Sequence, residues 1–207
     1  MQRRKAEVEQ RIVEAAERVF AERGYAGATM GAIAKAAQIS TGNVYRYFEN
    51  KEALFYGVFT EAFADELMRL VDRRVASLVE LEDLGQLDAR AEGDAESMLA
   101  FWIEHRLRVV VLLDRAEGSA YADFGARFVE RLVALTVAKL RHEVPGIVVS
   151  KTIRFTLDNI FTTSLRAIVS ILENHEDEAD IRRAFAAFWS YQLAGIAGFK
   201  EWVRNAS

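Results

Sequence analysis

Residues 29–54, TMGAIAKAAQISTGNVYRYFENKEAL, decide the fold. Thr29 is a side chain that accepts from backbone N–H groups two or three residues on, so it caps a helix start. Met30, Ile33, Ala34 and Ala37 follow three and four apart and share one buried face. The alanines allow close helix approach. Gln38-Ile39-Ser40 breaks the pattern, and Ser40 caps a second short helix over residues 41–48. Val44 and Phe48, four apart, anchor it. Its other side shows Thr41, Asn43, Tyr45, Arg46 and Tyr47, a dense set of hydrogen-bonding groups. A short, firmly held helix with such a face suits the major groove of DNA.

The run Ser40-Thr41-Gly42-Asn43-Val44-Tyr45-Arg46-Tyr47-Phe48, followed by Lys51 and Leu54, resembles the signature of the TetR family of bacterial transcriptional regulators. That signature closes its recognition helix with a hydrophobic-Tyr-x-His-Phe run, then a Lys and a Leu that open the next helix. Tyr47 stands where the family usually has His, and Gln38 where the turn usually has Gly. Tyr47 still donates to a phosphate. A positive φ at Gln38 carries roughly 1 kcal/mol of strain. The motif covers residues 8–55, and beyond it the resemblance is one of helical layout and length.

Working outward, residues 6–23 carry Val8, Ile12, Ala15, Ala16, Val19 and Phe20 at helical spacing, with Gly24 as the stop. Arg3, Arg4 and Lys5 form a basic leader, readable as a DNA-backbone contact or as a solvated tail. Asn50 caps a fourth helix, read as one long element from Lys51 to Leu78. Residues 81–94 are polar and glycine-punctuated, a loop. Asp94 caps an apolar helix through Leu113, and residues 114–119 form a turn. Another helix carries Phe124 to Leu140 and stops at Pro145-Gly146. Ser150 caps the next, and after an acidic connection over 173–180 a last long helix carries Ile181 to Val203. The expected architecture is all-α: a three-helix DNA-binding domain over residues 1–50, and a helical ligand-binding and dimerisation domain over 51–207, about nine helices in total.

Composition agrees with that plan. The 207 residues are 51% hydrophobic, with one Pro and no Cys, so there is neither a disulfide framework nor a thiolate metal site. No signal peptide or membrane span is readable, and the expectation is a soluble cytoplasmic protein. The net charge of −4 conceals an asymmetry. Residues 1–55 hold nine Lys/Arg against seven Asp/Glu, and the remainder eighteen against twenty-four. The basic surplus is local to the proposed DNA-binding end and modest, so affinity rests on dimerisation and placed contacts. An enzyme on a helical bundle is the competing class. His105, His142 and His175 have no metal-binding spacing, and neither a phosphate-cradling glycine loop nor a nucleophile elbow is present. No cofactor or metal is expected.

On DNA, Thr41, Gly42, Asn43, Tyr45 and Arg46 are assigned to the major groove, with Arg46 forking onto a guanine. Thr29, Ser40, Tyr47 and Lys51 are assigned to phosphates. The resemblance implies an inducer pocket in the body, with Phe101, Trp102, His105, Arg108, Tyr121, Phe124, Asn159 and Thr163 as candidate lining; the same aromatics at helical spacing also fit plain core. It further implies a homodimer through a four-helix bundle, with Phe161, Leu165, Ile168, Trp189, Gly195, Ile196, Phe199 and Trp202 at the contact. The function so implied is a regulator of a palindromic operator, most often a repressor, released by an unknown small molecule. A DNA-binding or architectural protein with no inducer would look identical at the DNA-binding end.

Overall fold

The computed structural model describes residues 2–79, 89–144 and 146–206. Its regular structure among those residues is helical throughout: α1 Gln2–Gly27, α2 Met30–Ala36, α3 Thr41–Val44, α4 Lys51–Val58, α5 Glu61–Val79, α6 Ala89–Glu104, α7 Arg106–Val110, a π-turn at Val111–Arg115, α8 Phe124–Glu143, α9 Lys151–Asn174 and α10 Glu178–Ala206. No helix among them is long and apolar enough to cross a membrane. The chain forms two compact units, Met1–Glu66 with Leu107–Gly125, and Leu67–Arg106 with Ala126–Ser207.

The first unit is built on aromatic packing. Phe20 meets Phe55 edge to face at 5.0 Å, Phe55 stacks on Phe59 at 4.4 Å, and Tyr25 closes on Phe55 at 4.7 Å. Helix α1 breaks at Gly24, whose φ of 67° is left-handed, and a Cβ there would lie 3.4 Å from the Arg115 carbonyl oxygen. Glycine thus meets two demands at once, a reversed backbone and a close approach by the π-turn. Polar ties finish the unit. Arg11 Nη2 donates to the Ala37 carbonyl at the end of α2, and Arg108 pairs with Glu17 on α1 at 2.6 Å. Because Phe55 and Phe59 pack on Phe20, the unit reaches past residue 50 and takes in all of α4.

Four of the five caps read from sequence are present. Oxygen atoms of Thr29, Ser40, Asn50 and Ser150 accept from the backbone N–H three residues on. Gln38 has φ 55° and an exposed side chain. A left-handed non-glycine residue costs roughly 1–2 kcal/mol, against roughly 0.5–1 kcal/mol of extra chain entropy for Gly. Gln38→Gly is therefore expected to stabilise the protein by about 0.5–1 kcal/mol, read as a raised urea midpoint at unchanged slope. A lowered midpoint would mean that the Gln38 side chain supplies more than its backbone costs.

Three expectations require correction. The helix drawn from Lys51 to Leu78 is two helices: Phe59 leaves the helical region (φ −101°, ψ 71°) and Thr60 Oγ1 accepts from Phe63 N at 3.2 Å. Burial of Phe59 against Phe20 and Phe55 turns the chain, and the threonine caps the new start. The helix drawn over 41–48 is α-helical only to Val44; Arg46 and Tyr47 then bond three residues back, to Asn43 and Val44. Gly, Asn and β-branched or aromatic residues are poor helix formers, and the last turn tightens. Finally, α6 begins at Ala89, so Asp94 is inside a helix and caps nothing. Ala91 is fully buried and its carbonyl accepts from Arg74 Nη1 at 2.8 Å, contacts that outweigh the penalty of Gly93. Residues 81–88 of that expected loop, and Pro145, lie outside the described residues.

The second unit packs α9 on α10 and α6 on α10. Trp102, Phe185 and Trp189 form its aromatic centre, with ring centroids 5.3–6.4 Å apart. Leu157, Leu172, Ile181 and Phe185 are buried.

Candidate nucleic-acid interface and internal cleft

Two helices and a tight turn present the first site. Thr29 and Ser40 spend their side-chain oxygens on helix starts, which sets the directions of α2 and α3. Val44 is fully buried, and the Phe48 ring packs where a Cβ on Gly57 would meet it at 3.4 Å. With those two residues turned inward, α3 and the turn after it leave Thr41, Gly42, Tyr45 and Arg46 exposed and Asn43 and Tyr47 half-buried. Nothing lies within 4 Å of a Cβ built on Gly42, so its backbone faces open space. The structure thus brings seven of the nine expected DNA contacts, Ser40 to Tyr47, onto one short segment. Thr29 is exposed at the start of α2. Lys51 is engaged within the unit. Its Nζ donates to the Tyr25 carbonyl at 2.6 Å and sits 4.3 Å over the Tyr25 ring, clamping α4 to the end of α1.

Among the described residues, the second unit holds two adjoining apolar clefts of about 670 and 630 Å³ with their open mouths included, which share Val75, Phe161, Leu193 and Ile196 as walls. Of the eight residues expected to line a pocket, Trp102 alone is a wall of these two clefts. Phe101 and His105 pair edge to face at 4.7 Å and line neither cleft. Arg108, Tyr121 and Phe124 belong to the first unit, Arg108 tied to Glu17 and Tyr121 packed on Tyr56 and Phe124. Asn159 and Thr163 lie on the exposed side of α9, where Asn159 Nδ2 donates to the Phe155 carbonyl. Sequence reading missed Arg74, Ser164 and Gln192. For Arg74 a signal existed: a charge inside the stripe Leu67, Leu70, Val71 and Val75. Gln192 Nε2 donates to Ser164 Oγ, which donates to the Ile160 carbonyl at 2.7 Å.

Residues expected at a dimer contact divide the same way. Phe161, Leu165 and Ile168 are buried within the unit, and Phe161, Ile168, Trp189 and Ile196 are cleft walls. On a helix of 3.6 residues per turn, the positions facing the core cannot also face a partner. Phe199 lines the smaller cleft, while Gly195 and Trp202 are exposed. At the far end of that cleft the Glu143 carboxylate lies 3.1 Å from Lys139 and 2.6 Å from Lys200. Lys200 approaches Oε2 off the line a hydrogen bond needs and forms an ion pair. Burial pushes the Glu143 carboxyl up, but the two ammonium groups outweigh it and hold it below its ordinary value.

Fold and site together define an all-helical helix-turn-helix protein whose second unit carries an apolar cleft. Residues 12–58 match the model of the bacterial regulatory proteins, tetR family. The HTH-type transcriptional repressor DhaR of Mycobacterium sp. (strain GP1) is 38% identical over 73 residues, 35% of this chain and 34% of that protein. The HTH-type transcriptional regulator UidR of Escherichia coli (strain K12) is 36% identical over 99 residues, 42% of this chain and 50% of that protein. The matched stretch spans only a third to a half of these relatives' length. A TetR-like transcriptional regulator from Rhodococcus sp. RHA1 shares the fold, with a TM-score of 0.52 at 24% identity over 92% of this chain and 96% of that one. The match to the tetR family of bacterial regulatory proteins lies within the first unit and takes in the helix-turn-helix.

Proposed function

We propose that this protein is a sequence-specific DNA-binding transcriptional regulator, a repressor that leaves a palindromic operator when a small molecule enters the cleft of its second unit. The observation that carries the DNA-binding reading is the one-sided exposure of residues 41–46. Val44 is pinned in the core while Thr41, Gly42, Tyr45 and Arg46 face outward. Arg46 reads a guanine edge and Tyr45 a thymine methyl or a phosphate. Thr29, Ser40, Asn43 and Tyr47 complete the contact, and the Lys51 ammonium, with one donor given to Tyr25, reaches a phosphate with the others. The relative DhaR is named a repressor, which supports the sign of regulation.

The outer face of α9 and α10 supports a homodimer. Phe155 is 70% and Tyr191 75% exposed, and Gly195 and Gly198 have nothing within 4 Å of a built Cβ. Large rings beside small residues on adjacent helices suit the same helices of a second copy. Release follows from α5, which carries the cleft walls Val71, Arg74 and Val75 and begins at the Thr60 cap. Ligand pressure on α5 changes the spacing of two recognition helices that must meet grooves about 34–36 Å apart.

The test is selection from random duplexes at a stated salt concentration. A palindrome is the expected product, and Arg46→Ala should relax one symmetric pair of positions by about 1–3 kcal/mol. No enrichment, including after stripping and refolding, would refute the reading.

A further inference from the structure

The larger cleft has a buried donor in its wall. Trp102 is 2% exposed, lines this cleft, and its Nε1–H is buried with no hydrogen-bond partner among the described residues. A buried indole N–H ordinarily finds an acceptor, because leaving it unpaired forfeits the hydrogen bond it made to water. On the same cleft stands Arg74, 7% exposed. A guanidinium offers five N–H donors, and among the described residues its hydrogen bond goes to the Ala91 carbonyl, a neutral group. Burial pushes the Arg74 guanidinium below its ordinary value, with Asp94 only partly opposing it. Among the described residues, no wall residue of this cleft is acidic. The other polar pair there, Gln192 and Ser164, is bonded to itself.

Two buried side chains that carry N–H donors, one of them cationic, line a cleft whose other walls are mostly apolar. Such a cleft accepts an anion and rejects a cation, and its hydrocarbon walls select a ligand with a long apolar body. Resting on the reading of this cleft as the ligand site, we propose that its ligand is a carboxylate-headed amphiphile. The head accepts from Trp102 Nε1–H and the Arg74 guanidinium. The body runs past Phe161, Leu193 and Ile196 toward Phe199. At the opposite end of the path the Lys139 and Lys200 ammonium groups already share the Glu143 carboxylate, which makes them weaker competitors for the head.

The experiment uses the full chain and four probes kept below micelle formation: dodecanoate, octanoate, methyl dodecanoate and dodecylammonium. Binding is read by calorimetry and by the shift in melting temperature. Dodecanoate is expected to bind saturably and raise the melting temperature, roughly tenfold or more tighter than its methyl ester, as charge-assisted hydrogen bonds require. Octanoate should bind more weakly, and dodecylammonium should not compete. Arg74→Met should erase the preference for acid over ester. Trp102→Phe should weaken dodecanoate several-fold and reduce the ligand-induced change in indole emission to what Trp189, on the same cleft, contributes. The wild-type ranking needs no variant, so it stands if a variant fails to fold. Equal binding of ester and acid, competition by dodecylammonium, or undiminished dodecanoate binding to folded Arg74→Met would overturn the proposal. Adding the selected operator duplex separates the two readings. Tight, acid-selective binding that leaves DNA affinity unchanged upholds the ligand class and sinks release by ligand. Release by dodecylammonium alone does the reverse.

Discussion

Phe55→Ala is expected to destabilise the protein by about 3–5 kcal/mol, the range for deleting a buried aromatic ring. Phe55 is fully buried and is the one ring in contact with Phe20, Tyr25, Tyr56, Phe59 and Tyr121. Those rings come from α1, α4, the turn after α4 and the segment before α8, so no single side chain can swing into the space. The cost should fall near the top of the range, a large share of the roughly 5–15 kcal/mol that holds a domain together. Urea unfolding followed by circular dichroism checks the magnitude. DNA binding gives a second readout, since Lys51 and Asn50 start the same helix and hold the turn that follows α3. A loss under about 2 kcal/mol would show that the unit repacks and that the aromatic cluster is not its organising contact.

The second large effect concerns a charge. Glu143→Ala should cost about 2–3 kcal/mol. Removing one member of a buried ion pair costs about 3–5 kcal/mol because the partner charge is stranded. The value is set lower here because Lys139, Glu143 and Lys200 retain 12–15% exposure. Lys200→Met should cost distinctly less, since Glu143 keeps Lys139. The same group shapes the acid limb. The folded carboxyl titrates below its ordinary value of 4.5, so the unfolded chain binds the proton first. Its contribution is full above about 4.5 and is lost as pH falls through the lower folded value. Stability of Glu143→Gln should therefore decline less steeply than wild type below about pH 4.5. Parallel acid limbs would mean that Glu143 is not held down by the two ammonium groups.

Local signals were legible without coordinates. The helix stop at Gly24, the four caps and the strained Gln38 each depend on residues within four positions of one another, where the chemistry of a side chain and its own backbone suffices. The outward face of residues 41–46 was legible for the same reason, because Val44 and Phe48 mark the inward side by spacing alone. Other features required distant parts of the chain. Phe59 leaves its helix to reach Phe20, thirty-nine positions earlier. Ala91 joins a helix in part because Arg74 bonds its carbonyl. Lys51, read as a phosphate contact, is spent first on Tyr25.

The cleft shows the limit best. Aromatic residues at helical spacing announce that a helix is buried, not what it faces. Phe101 and Trp102 are neighbours in sequence, yet only Trp102 lines the cleft, because the rotation of α6 against α10 is settled by packing of Trp102 on Phe185 and Trp189. The amino-acid sequence by itself determined most of the helices, four of their caps and the family motif of residues 12–58, since those follow from local bonding and short motifs. Only the tertiary structure decided which buried side chains remain unsatisfied, since satisfaction depends on partners the chain brings together from tens of residues away.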